Sequence, residues 1–135
     1  MPLSEKARIE VYLPDLPRAA YQDLLSALTH EFTYTFGGCT IIRGLDGSYL
    51  SQAGSPIQDR VNLIYTDTPY TFEENFEIVS AYADKLKDAA FAALEEEAIL
   101  VVVSQAITRS SQSYAAPNKR TEMFVSSDFL TPRRR

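Results

Sequence analysis

Arg43, Asp46, Ser48, Tyr49, Ser51, Asp59 and Arg60 are crowded against glycines in a chain whose five glycines all fall inside 36–54, FGGCTIIRGLDGSYLSQAG. Glycine costs backbone entropy to order, so a cluster of it marks a place where backbone shape is specified. Glycine-rich turns can aim successive N–H groups into a concavity that holds an anion, and a nearby guanidinium adds a charge-assisted contact. The candidate ligand-binding set is Arg43 and Arg60 for charge, Gly44 and Gly47 for backbone shape, and Tyr49 beside them. The Gly44-x-x-Gly47 spacing is short and lacks the Gly-Lys-Ser/Thr ending of a P-loop. A structural account competes: Gly37–Gly38 as the turn after a helix, Gly44 as a bulge ending a strand, Gly47 and Gly54 at a loop tip.

Other chemistry is sparse. His30 is the single histidine and Cys39 the single cysteine, which leaves a His-based zinc set without partners and excludes an internal disulfide. Cys39 reads as a small buried hydrophobe. Nothing resembles a nucleophile elbow, and no residue pattern asks for a cofactor or a metal. Asp46, Asp59 and Asp67 either meet at the hairpin or stay solvated.

At 135 residues the chain fits one domain, and its net charge of −5 is unevenly spread. Residues 1–108 carry seven Lys/Arg against sixteen Asp/Glu, and 109–135 six against two, giving −9 and +4. An acidic body argues against nucleic acid, where phosphate contacts dominate affinity. The basic end reads as a solubilising tail or as a strap for an acidic surface. No apolar run is long enough to span a bilayer. The N-terminus lacks the apolar core of a signal peptide, so a cytoplasmic protein is expected.

The elements that would position these residues follow from periodicity. Ile9, Val11 and Leu13 alternate with Arg8, Glu10 and Tyr12, predicting a half-buried strand over 7–13. Ala20, Tyr21, Leu24, Leu25, Leu28 and Phe32 predict an amphipathic helix, with Asp15 as its N-cap and Pro17 in its first turn. Strands are expected at 39–43 and 60–67, joined as a long hairpin whose tip is irregular and mobile. Thr71 and Glu74 match a capping box before a helix whose stripe is Phe76, Val79, Ala83, Leu86, Ala90 and Leu94. The Glu95–Glu97 run at its far end opposes the helix dipole. AILVVV, 98–103, predicts a strand buried on both faces. A polar connector follows, and TEMFVSSDFL is expected as a short strand or a docked arm.

Strand, helix, strand, strand, helix, strand is the order of the α+β ferredoxin-like sandwich, placed here in 1–108 with a connector and tail in 109–135. Helices would cover one sheet face. The other, lined in part by Leu100 and Val102, would be hidden by self-association into a dimer or trimer.

Gly38, Thr40, Arg43, Gly44 and Gly47 fill a Gly-x-Thr-x-x-Arg-Gly-x-x-Gly pattern. That stretch resembles the opening of the hairpin in PII-like signalling proteins, and the element order agrees. The resemblance implies a ferredoxin-like trimer that binds nucleotides or similar small molecules in clefts between subunits. Two function classes stand beside each other. One is an oligomeric regulatory module using the 37–60 hairpin to bind a small anionic ligand or partner protein. The other is a small enzyme of the dimeric α+β-barrel kind, an isomerase or cofactor-free oxygenase, with Tyr65, His30, Arg43 or Asp67 as acid–base groups.

Overall fold

The computed structural model describes residues 4–94 and 99–108. The Glu95–Glu97 run, the connector from 109 onwards, TEMFVSSDFL and the basic end lie outside the described residues. The element order is β1 (Ser4–Pro14), α1 (Ala19–Phe36), β2 (Thr40–Leu50), β3 (Pro56–Asp67), α2 (Phe76–Leu94) and β4 (Leu100–Thr108). The strands form one sheet in the order β2-β3-β1-β4, with each neighbouring pair antiparallel. This is the expected ferredoxin-like sandwich.

The period-2 pattern of β1 decides where the core lies. Ala7, Ile9, Val11 and Leu13 are all buried, packed with Leu24, Leu28 and Phe32 of α1 and Val79, Tyr82 and Leu86 of α2. Ile64 of β3 joins them, and Ile41, Val101 and Val103 pack against the cluster. Burying one such aliphatic side chain contributes about 1.5–3 kcal/mol, so the stripe on β1 holds both helices to the sheet. Phe36 meets the Tyr82 ring edge-on, with centroids 5.4 Å apart, and locks the helices together.

Several expectations need correction. α1 begins at Ala19 after an extended Arg18 with no side-chain cap, and Ala20 is exposed. Pro17 disfavours helical backbone at the residue before it. Asp15 is used elsewhere: its carboxylate accepts a hydrogen bond from Asn62 Nδ2 at 3.2 Å and its N–H donates to the Arg60 carbonyl. Thr71 lies in a turn before α2, where its hydroxyl accepts from Asn75 Nδ2. β4 is an edge strand running past 103, because Ser104–Thr108 continue the ladder with Ser4–Arg8 despite their polarity. Leu100 is exposed and Val101–Val103 half-buried, so β4 is not covered on both faces. The expected long hairpin is present, but its strands run further than 39–43 and 60–67: β2 and β3 pair from Leu50↔Pro56 onwards, leaving a tip at 51–55. There Ser51 and Ser55 exchange backbone and hydroxyl contacts, and Gly54 has a φ of 81°. Gly47 is consequently a strand residue opposite Asp59 rather than a tip residue.

A buried carboxylate joins the helix layer. Glu31, 2% exposed, sits between the helices. The Tyr82 hydroxyl donates to its Oε1 at 2.9 Å, and Thr35 Oγ1 donates at 3.3 Å. Burial first, then the Glu31 charge and the hydrogen bond to it, push the Tyr82 phenol far above its usual 10.0. A raised folded-state value means that stability is fully present below the unfolded value and is lost as pH climbs past about 10. Tyr82→Phe is expected to lower the urea-unfolding free energy by about 1–3 kcal/mol by removing a donor to a buried carboxylate. It should also flatten the alkaline decline.

Candidate functional site

β1 stops pairing with β3 at Pro14↔Val61, while β2 and β3 continue together to Leu50↔Pro56. Residues 45–50 and 56–60 therefore form a two-stranded ribbon reaching about 17 Å beyond the sheet. Its root is irregular. The register passes from Ile42↔Leu63 to Leu45↔Val61, so Arg43 and Gly44 together oppose Asn62, which is a β-bulge. Gly44 has a φ of 68°, in the left-handed region that glycine enters without steric cost. Its N–H donates to Asn62 Oδ1 at 3.0 Å, and the buried Asn62 passes the contact on to Asp15. The Arg60 guanidinium lies directly over Gly44, where a Cβ would stand 2.6 Å from Nη2.

The bulge brings three of the five sequence-predicted ligand residues together: Arg43, Gly44 and Arg60. Both arginines are exposed, and neither has an ion-pair partner among the described residues. Gly47 and Tyr49 stand further out, opposite Asp59 and Ile57. The Gly44 N–H is taken by Asn62, so any attraction for an anion comes from the guanidinium groups rather than from a cradle of free backbone donors. Asn62 is the part of this site that sequence reading missed. Its alternation within β3 was visible, but its partners Asp15 and Gly44 lie far off in sequence.

A second polar cluster sits on the sheet face away from the helices. Arg8 grips Asp67 bidentately, Nε to Oδ1 at 2.6 Å and Nη2 to Oδ2 at 3.0 Å, and its Cζ lies 4.4 Å from the Tyr65 ring centroid. The Asp67 hydrogen bond outweighs the opposing effect of burial and raises the Arg8 pKa above its ordinary value. Beside it the Tyr12 hydroxyl donates to Glu10 Oε2 at 3.0 Å, which is the main cause of the raised Tyr12 pKa. Asp67 is thus committed to Arg8, and Asp46 and Asp59 stand opposite Arg60 and Gly47, so the three aspartates do not converge.

The acid–base candidates are equally separated. Tyr65 and Asp67 belong to the outer sheet face, Arg43 to the bulge, and His30 to the exposed side of α1, where its ring lies 4.4 Å from that of Tyr34. Cys39 is half-buried, with its Sγ 4.0 Å from the Thr29 carbonyl.

No family model matches the chain, and no curated protein matches it. Among solved structures it is similar to the divalent cation tolerance protein CutA1 of Thermus thermophilus. Identity there is 18% and the TM-score 0.42, over 82% of this chain and 87% of that one. It is also similar to CutA1 of Oryza sativa, at 16% identity and a TM-score of 0.48, over 80% of this chain and 84% of that one. The strand order and pairing of the chain itself carry the architecture.

Gly44→Ala combines an unfavourable φ with a collision at Arg60. It is expected to cost about 1–2 kcal/mol for the backbone alone. In the double variant Gly44→Ala/Arg60→Ala the collision share should return and the backbone share should not, which a double-mutant cycle by urea unfolding resolves.

Proposed function

We propose that the chain is the subunit of a small oligomeric binding module. Copies associate through the outer sheet face, and the root of the ribbon takes a small anionic ligand or an acidic segment of a partner protein. The observation that carries this reading is the ribbon: among the described residues it pairs only with itself, yet leaves Tyr49 54%, Leu50 71% and Ile57 38% exposed. A two-stranded hairpin is marginal in water by itself, and exposed apolar side chains grouped together mark a surface built to be covered. Beneath them Arg43 and Arg60, free of carboxylate partners among the described residues, supply two cations on an otherwise acidic body. Guanidinium groups suit phosphate and carboxylate because their planar donors match both geometries. The PII-like resemblance of 37–47 supports the same reading.

Native mass spectrometry of the full chain is expected to show a dimer or trimer, and a monomer at high micromolar concentration would remove the association. Calorimetric titration with pyrophosphate and ATP is expected to show saturable binding that weakens about tenfold or more in Arg43→Ala/Arg60→Ala. Binding should also weaken with added salt. Equal affinity in both proteins would remove the arginines from the site.

A further inference from the structure

The two edges of the sheet are defended unequally. β2, at one edge, carries the Arg43–Gly44 bulge and the charges of Arg43 and Asp46. β4, at the other, reads LVVVSQAIT and holds no charged residue, no proline and no glycine. It pairs with β1 residue for residue from Tyr12↔Leu100 to Ser4↔Thr108. Alternate residues of β4 turn their N–H and C=O groups away from β1, and among the described residues no strand lies there to take them. Leu100 and Ile107, near its two ends, are 57% and 65% exposed. A long, uncharged edge is a template for another strand, and proteins that leave an edge bare blunt it with charge, proline or a bulge. β4 has none of these defences.

The sequence after β4 holds a segment fit to pair there. TEMFVSSDFL, 121–130, includes the β-forming Phe124, Val125 and Phe129, and its ten residues match the nine of β4. Pro117 and Pro132 flank it, and proline, which cannot donate to a ladder, bounds a strand. Lys119, Arg120 and Arg133–Arg135 place charge just outside it, where such residues keep an apolar strand from pairing elsewhere. The connector 109–120 reaches about 40 Å when extended, and β4 is about 30 Å long, so every point of the edge is within reach. Tethering holds the segment at roughly millimolar effective concentration beside β4, which favours it over a strand from a separate molecule.

We infer that residues 121–130 pair with the free edge of β4 as a fifth strand of the sheet, antiparallel to it because that return path is the shorter. This contact closes the edge to other chains, and it is separate from the association proposed above, which uses the outer sheet face.

The test is hydrogen–deuterium exchange, read by NMR at two protein concentrations, on the full-length protein and two variants. Val125→Pro lies in the segment and Gln112→Pro in the connector. In the parent the β4 amides that point away from β1 are expected to be protected. Proline at 125 removes a ladder donor and clashes with its neighbours, so those outward amides should exchange about tenfold faster or more. The amides facing β1 should keep their protection and report an intact fold. Gln112→Pro should match the parent, and no result should change with concentration. Should Val125→Pro lose the β1-facing protection as well, Val125→Asp weakens the strand with its donor retained and gives the same readout. Outward amides that exchange freely in the parent show a bare edge and overturn the inference. Protection that survives substitution at Val125, or that falls on dilution, assigns the edge to another occupant, in the latter case a second copy, and overturns it too.

Discussion

Because Arg43 and Gly44 together oppose the single residue Asn62, every β2 side chain beyond the bulge stands on the opposite face from the one strict alternation would give it. Without the extra residue, Leu45, Gly47 and Tyr49 would point toward the helix layer, and the apolar stripe of the outer sheet face would end at Ile42. With it, the stripe runs on to the tip. The insertion is stable because three groups are matched to it: a glycine at a φ of 68°, the Asn62 amide that takes the stranded N–H, and Asp15 that orients the amide. Arg60 closes over the one position where a side chain would obstruct it.

The two faces of the sheet solve different problems. On the helix side, Ala7, Ile9, Val11 and Leu13 are covered by the chain itself. On the other side Arg8 and Asp67 cancel each other's charge, and the Tyr12 hydroxyl donates to Glu10 without cancelling its charge. Partly exposed pairs of this kind add little to stability. The stronger effect of the Arg8–Asp67 pair is on compatibility: that pair can be brought against another protein surface without stranding either charge.

The helix layer carries a polar exception of its own. Glu31 would be costly to bury alone, but Tyr82 and Thr35 both donate to it, and the Tyr82 ring also packs edge-on against Phe36. One side chain from α2 thereby supplies both the apolar contact and the hydrogen bond that align the two helices, a requirement stricter than oil against oil.

The sequence by itself determined the element order, the core stripe of β1, the helix stripes and an outer sheet face with apolar residues, because each is written in local periodicity. It also flagged Arg43, Gly44 and Arg60, since residue type alone marks glycine beside arginine. Local pattern misled at Asp15, whose carboxylate looked like a cap and instead holds Asn62 from across the fold. At 44–59 it gave the long hairpin but not its length, because the glycines hid how far cross-strand pairing carries β2 and β3. Which carboxylate meets Arg8, that Glu31 is buried against Tyr82, and which face Gly47 and Tyr49 present were decided only in three dimensions. Each depends on a partner far away in the chain, and pairing register is a property of two strands that neither contains alone.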